Sequence, residues 1–477
     1  MTMPHSLSLF NEFSLLPLLS ELMILQNRCK GIYGQERVYN RALALVMAEL
    51  FAFGRHTITQ LLLTLGLVDE DWSAWYRLFS QGRFDEAETG QVMLTEMLTE
   101  VEVGEAFVVG TDGFHVPRCS QTMPGTGWMR GMKTAPFKPG IQRGQRFVEG
   151  SWLTPMVKGY SRAIPIRCLS AFTVKAVASE KDEPRTEVKA GLAFLQWTRE
   201  QMDGVGRKEQ TLLTLNDGSY DTLEFWPGLP ERTVAVVRTA RNRCLYELPP
   251  AEAHGNCKYG EKAAAPHVWL QKRKGFKYQD VMVRGRSHRM RYRVEGPFVR
   301  HGLPNIPLFL IVIGGGKRPP GSRRKRYQPG FFLVSALLID GDWSLPLPIA
   351  EILAWLWQRW ELEVAHRQLK SGLGLGEKQC WNDQATVTTV QWSTWVYSLM
   401  MLSGYRAWGI DCRHKPPGLW RALPGRWSFN TLWRAFRTEM WHQPVFRATW
   451  TWSRDNWLVN EPLWDALFNS ILASARV

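Results

Sequence analysis

The sequence predicts an α/β chain, and three observations carry that prediction. Apolar runs ending in Asp-Gly occur twice, Phe107–Asp112 before Gly113 and Thr211–Asp217 before Gly218, and read as strands delivering an acid to a sheet edge. Between them Glu187–Met202 has the spacing of an amphipathic helix, with Leu192, Leu195 and Trp197 as apolar bulk. From Thr233 to about Ile339 the alternation is β-like, whereas residues 1 to about 100 and 385–477 read as helical.

The chain has 477 residues, room for roughly three domains. Its 45% hydrophobic and 22% charged residues are those of a folded globular protein and exclude a disordered one. Lys and Arg number 59 against 44 Asp and Glu, a net charge of +15, which favours a polyanionic partner such as nucleic acid. The seven cysteines form no CxxC and no Cys/His set with zinc spacing, which suits reduced thiols better than a disulfide framework. The first residues lack a basic n-region and carry Glu12, so they do not read as a signal peptide. The longest apolar runs, Ile306–Ile313 and Phe331–Ile339, are far shorter than the ~20 residues of a membrane span and read as buried strands of a soluble protein.

Along the chain, Thr57–Leu65, a turn at Gly66 and Asp69–Phe79 resemble a helix-turn-helix, although any small bundle joins two helices that way. Residues 117–147, rich in Gly, Pro, Lys and Arg (Arg130, Lys133, Lys138, Arg143, Arg146), read as a loop. Strands resume at Arg146–Leu153 and Ile164–Val174. Basic residues crowd the β segment: Lys272, Arg273 and Lys274, then Lys277, Arg284, Arg286, Arg289, Arg291 and Arg293. A second cluster, Lys317, Arg318, Arg323, Arg324, Lys325 and Arg326, falls in a Gly/Pro loop. Basic residues also protect sheet edges from aggregation, but two clusters with few acids between them suit phosphate contacts. The C-terminal tryptophans are expected in the core.

The most informative stretch is Leu356–Lys370, LWQRWELEVAHRQLK, which has no Pro or Gly and reads as one helix. At about 100° per residue, Arg359, Glu363, His366 and Lys370 share a face roughly 60° wide, and Glu361 points the other way. A solvated face with an Arg359–Glu363 pair is the ordinary explanation. The two upstream acids argue for more. Asp112, Asp217 and Glu363 on separate elements could hold two hard divalent ions for phosphodiester chemistry without any His or Cys cluster.

These motifs resemble the DDE transposases of bacterial insertion sequences, in the insertion-sequence-four-like branch with its Tyr-x2-Arg-x3-Glu-x6-Lys signature. Arg359, Glu363 and Lys370 match it in type and spacing, Trp360 and His366 also match, and Leu356 stands at the tyrosine position. VVGTDGFHV (108–116) and NDGSYD (216–221) look like the first and second Asp motifs. The resemblance covers roughly residues 105–400.

It implies an RNase H-like core interrupted by a β-rich insertion and flanked by helical regions. The expected divisions are 1–100 (helical, DNA-binding), 101–225 (core, first part), 226–342 (basic β insertion), 343–395 (core with the Glu helix) and 396–477 (helical). It implies that Asp112, Asp217 and Glu363 hold two Mg²⁺ ions, with Mn²⁺ as a substitute. Arg359 and Lys370 would grip phosphates, Trp360 would border a base flipped out in a hairpin step, and His366 would join these DNA contacts. Leu356 cannot supply the tyrosine's hydrogen bond, and Trp357, His366 or Tyr220 are the candidates to replace it. Lys272, Arg273, Lys274, Arg323, Arg324, Lys325 and Arg326 are the other expected DNA contacts. The implied partners are double-stranded DNA, as inverted-repeat ends and target, and a second copy of the chain in a synaptic complex. No membrane is involved, and the implied place is the bacterial cytoplasm and nucleoid. Asp340 and Asp342 are rejected as the second acid because a strand and a helix precede Asp217 in the order such a sheet requires, and Asp221 reads as a turn or cap residue. An RNase H-like nuclease, a domesticated transposase and a non-catalytic DNA-binding regulator stay open; a glycosidase-type carboxylate pair has no use for the basic insertion.

Overall fold

The structure, a computed structural model, describes residues 16–120, 122–130, 140–172, 176, 184–250, 257–315, 328–410 and 426–441. The cluster Lys317–Arg326, together with Lys133 and Lys138, lies outside them.

Among the described residues five α-helices come first: α1 (Pro17–Arg28), α2 (Glu36–Phe51), α3 (Ile58–Thr64), α4 (Ser73–Ser80) and α5 (Glu86–Leu98). Their starts are written locally. Pro17 opens α1, and the Thr57 and Asp85 side chains accept the Gln60 and Glu88 amides at the heads of α3 and α5. A helix-turn-helix needs a turn of 3–4 residues. Here residues 65–72 connect α3 to α4, folded back by a hydrogen bond from the Trp72 indole to the Leu67 carbonyl.

The core sheet follows. β1 (Phe107–Pro117) pairs antiparallel with β3 (Ile141–Leu153), and β3 with β4 (Ala163–Ser170); β2 (Gly127–Arg130) adds to the far end of β3. After the crossover helix α6 (Glu187–Gly204), β5 (Leu212–Asn216) returns parallel to β1, and β6 (Thr233–Arg238) lies parallel to β5. The order β4-β3-β1-β5-β6, three antiparallel strands and then two parallel ones, is the RNase H-like arrangement. Two expectations change here. Much of the 117–147 region is strand rather than loop, because Gly144 and its neighbours pair with Val116 and Pro117 on β1, and that pairing overrides local composition. β6 falls inside the span expected for the insertion, yet it is the fifth strand of the core.

The insertion then extends this sheet. β7 (Leu245–Glu247), α7 (Pro266–Gln271), β8 (Lys277–Val283), β9 (Arg286–Arg300), β10 (Leu303–Ile313) and β11 (Gly330–Ser335) form it. β11 pairs antiparallel with β6, Leu333 opposite Val237, so one sheet, 11-stranded among the described residues, runs through both parts. Asp221, expected as a turn or cap residue, does cap the short 3-10 turn Gly218–Tyr220 and is also buried. It accepts from Thr239 at 2.6 Å and pairs with Arg243 at 2.5 Å and with Arg300 of β9 at 2.9 Å. β12 (Leu337–Ile339) and β13 (Asp342–Ser344) make a separate hairpin whose turn holds Asp340 and Gly341 at φ 52° and 89°.

The C-terminal part is helical: α8 (Ile349–Gln358), α9 (Trp360–Ser371), α10 (Asp383–Trp408) and α11 (Phe429–Trp441). The single helix expected over Leu356–Lys370 is divided at Arg359, where the Leu362 amide bonds the Arg359 carbonyl three residues back instead of four. The buried Gln358 side chain at this point reaches away to the Gly159 carbonyl at 3.1 Å. α10 packs against β4 and the N-terminal helices, and Trp392, Trp395 and Trp427 are buried in the core as expected. No described helix is long and apolar enough to cross a membrane.

Candidate active site

Parallel pairing of β1 with β5 sets the site. Gly110 is the last β1 residue opposite β5, while β1 itself continues along β3 to Pro117. Asp112 therefore sits in mid-strand, not at the strand end its sequence suggested, but where its parallel neighbour has run out. Asp217 follows the last residue of β5. The Asn216 amide, donating to the Thr111 hydroxyl and accepting from Thr214 at 2.9 Å, locks the two strands at this point. Asp217 accepts the Ser219 amide at 2.8 Å and the Ser219 hydroxyl at 2.6 Å, which fixes its rotamer over a short turn.

α9 brings the third acid. A Cβ on Gly110 would lie 2.6 Å from Leu362 Cδ1, so the absent side chain lets α9 sit directly on β1. Glu363, one residue on, is bound by Arg359 at 2.8 Å. Arg359 also acts on Asp112, so one guanidinium connects the first acid with the third. His366 turns inward. Its Nδ1 is 3.5 Å from Asp112 and its Nε2 3.3 Å from Glu149, an oblique approach that is an ion pair more than a well-aligned hydrogen bond. Burial lowers the His366 pKa, but Glu149 and Asp112 outweigh burial and leave it raised. Burial pushes Asp112 up to about 6, with Asp217 and Glu149 adding to the rise and His366 and Arg359 opposing it.

Two acids of this cluster were missed in the sequence. Glu149 is fully buried, directly across from Asp112 in the β1–β3 register, and accepts from Ser151 at 2.6 Å. A lone acid inside Phe147–Leu153 was its signal. Glu187 opens α6, whose Thr186 cap accepts the Lys189 amide, and reaches Gly113 on the sheet face opposite α9. Nothing local in the sequence announced that approach.

A positive rim surrounds the acids. Arg146 donates to His115 Nε2 at 3.1 Å, and burial, Arg146 and Lys370 bring the His115 pKa down to about 4. Lys370 is exposed in the last turn of α9, and Trp360 is 49% exposed. His366, expected to touch DNA, is buried between carboxylates and presents no face to a phosphate. Tyr220, a candidate to replace the missing tyrosine, is fully buried, and the Trp357 indole points at Met290 sulfur at 3.2 Å. Leu356 instead lines a cleft of about 850 Å³ with Arg359 and Trp360, to which Arg238, Arg284 and His288 also contribute. Lys272, Arg273 and Lys274 are exposed ahead of β8, Lys272 stacked 3.7 Å over Trp269; Arg323, Arg324, Lys325 and Arg326 lie outside the described residues.

Among the described residues no three His, Cys, Asp or Glu side chains converge closely enough to hold a metal ion. The donor chemistry still fits a hard divalent cation. The acids supply only oxygen, and burial, with a smaller contribution from Asp217 and Glu149, raises the Asp112 carboxyl to about 6, a cost that a bound cation would relieve. In this conformation a guanidinium engages Glu363 and a hydroxyl engages Asp217.

No curated protein matches the sequence. Among solved structures, the cryo-EM structure of a piggyBac transposase synaptic complex with hairpin DNA is similar at a TM-score of 0.35 and 10% identity, covering 98% of this chain and 86% of that one. That similarity is too low to carry an argument. Residues 34–294, more than half of the chain and containing Asp112 and Asp217, match the family described as DDE superfamily endonuclease. The chain belongs to the DDE superfamily endonuclease family.

Proposed function

We propose that the chain is a DDE transposase of the insertion-sequence-four-like branch, which cuts insertion-sequence ends and joins them to target DNA. The observation that carries this reading is the shared end of β1 and β5, where Asp112 acts on Asp217 and is itself acted on by Arg359, the partner of Glu363. Asp112, Asp217 and Glu363 would hold two Mg²⁺ ions, for which Mn²⁺ would substitute. Such ions would supply Lewis-acid activation of water or a 3′-hydroxyl and stabilisation of the leaving oxygen.

The chain's own residues do the rest. Asp112, whose pKa burial raises to about 6, is mostly a carboxylate near neutral pH and able to act as a ligand. Arg359 exchanges Glu363 for a DNA phosphate, which frees the carboxylate and charges the grip in one movement. Lys370 holds the neighbouring phosphate. The cleft beside Trp360 accepts an unstacked terminal base, its arginines meeting the attached phosphates. Leu356 adds apolar wall where the branch has a tyrosine, so a hairpin step relies on Arg359 and Lys370 alone. The exposed Lys272, Arg273 and Lys274 extend the phosphate track along the insertion. Two copies of the chain join two ends in a synaptic complex.

Cleavage of the DNA ends flanking the coding gene, with Mg²⁺, tests this reading. Wild type cuts and Glu363→Gln binds without cutting; a denaturing gel also scores hairpins. Wild type that binds the ends and never cuts them in Mg²⁺ or Mn²⁺ overturns it in favour of a DNA-binding regulator.

A further inference from the structure

Glu187 belongs to none of the motifs that carry the reading above, and three observations tie it to the site. First, its carboxylate fills the place of a side chain on Gly113, the residue after Asp112. A Cβ there would lie 2.5 Å from the Glu187 carboxyl carbon and 2.7 and 2.8 Å from its two oxygens. The glycine of the first Asp-Gly is therefore not a turn residue, since β1 runs straight through it. It is the gap through which an acid from α6 reaches the catalytic strand.

Second, one hydroxyl touches both Glu187 and Asp217. Ser219 Oγ is 2.6 Å from Asp217 Oδ1 and 3.3 Å from Glu187 Oε1. A hydroxyl has a single proton, so it can satisfy only one of these carboxylates, and the shorter contact goes to Asp217. Among the described residues, Arg146 is the cation paired with Glu187; it stands off at 4.0 Å and already donates to His115. Third, Gly110 meets α9 and Gly113 meets α6, so the two helices cover opposite faces of β1. Asp217, beyond the end of β5, is thus approached from one face by the Asp112–Glu363 side and from the other by Glu187. A helix cap or a plain Arg146 pair does not require an acid pressed against the catalytic strand in contact with the hydroxyl that fixes Asp217.

We infer that Glu187 is a fourth carboxylate of the metal site, sharing with Asp217 the divalent ion on the α6 side of the sheet. This rests on reading Asp112, Asp217 and Glu363 as metal ligands. Asp217 would then serve both sides, and Ser219 holds the Asp217 and Glu187 oxygens near each other in the metal-free chain.

Mn²⁺ titration of the full-length protein, followed by electron paramagnetic resonance, tests the assignment without DNA and without activity. Wild type, Glu187→Gln and Asp217→Asn are compared, each checked for an unchanged circular dichroism spectrum. The expected result is that Glu187→Gln weakens one Mn²⁺ site at least tenfold and spares the other, while Asp217→Asn weakens both. A Glu187→Gln isotherm superimposable on wild type, with Asp217→Asn impaired, overturns the role of Glu187 and leaves the three-acid reading standing. Wild type that binds no Mn²⁺ overturns both. Should Glu187→Gln misfold, iron-dependent hydroxyl-radical cleavage of the wild-type backbone answers the same question. Cuts near residue 187 as well as near 112 and 217 support the assignment, and cuts near 112 and 217 alone refute it.

Discussion

Asp112 shows how a single side chain carries cost and function together. Its carboxyl is held up at about 6 in the fold against 3.8 as the ordinary value, first by burial and then by Asp217 and Glu149. A carboxylate whose pKa is raised by folding stabilises the fold when protonated and opposes it when charged. Stability conferred at this group is therefore fully present below about pH 4 and is lost as pH rises to about 6. Asp112→Asn should abolish cleavage yet raise the stability of the metal-free protein at pH 8 by on the order of 2 kcal/mol. The gain should vanish at pH 4. Urea melts at the two pH values check this, and a variant no more stable at pH 8 would mean that His366 and Arg359 already neutralise the site. The acids that the sequence revealed, Asp112 and Asp217, each end an apolar run. Glu149 and Glu187 stayed hidden because their closeness comes from strand register and from a helix on the other face, which no local spacing encodes.

Among the elements, α9 on β1 is the decisive contact, and it depends on one missing side chain. Gly110→Ala would put a methyl 2.6 Å from Leu362 Cδ1 and 3.3 Å from the Leu215 carbonyl oxygen. Overpacking of this kind costs about 1–3 kcal/mol and moves Glu363 away from Asp112. Cleavage should fall more than tenfold while the circular dichroism spectrum stays unchanged. Leu362→Ala in the same chain should restore part of the activity, and a double variant no better than Gly110→Ala would place the damage elsewhere. The helix bearing Glu363 was legible from its composition, because Trp360–Ser371 contains no breaker. Its division at Arg359 was not, since that irregularity arises from long-range contacts of the kind Gln358 makes with Gly159, 199 residues earlier in the chain. Likewise the glycines and arginines of 117–147 suggested a loop, whereas pairing with β1 makes much of it strand.

For the whole molecule, the continuity of the sheet matters most. Core and insertion share the β6–β11 pairing and the Asp221 network, so they should unfold together. Asp221→Ala strands Arg243 and the mostly buried Arg300 without their carboxylate, at a cost of about 3 kcal/mol. Differential scanning calorimetry should show one transition shifted down by several degrees; a second, separate transition would show that the insertion folds on its own. The sequence announced a β-rich segment but not its attachment, because alternation reveals strands and not their neighbours. That attachment has a mechanical consequence. An insertion hung on a hinge could follow its DNA, but strands hydrogen-bonded edge to edge with the catalytic strands act as a stiff plank. The separation between the basic tip near Lys272 and the acids at Asp112 is then a built-in ruler. Whatever binds at one mark is therefore held at a set distance from the other, because the sheet between them has no joint at which to yield.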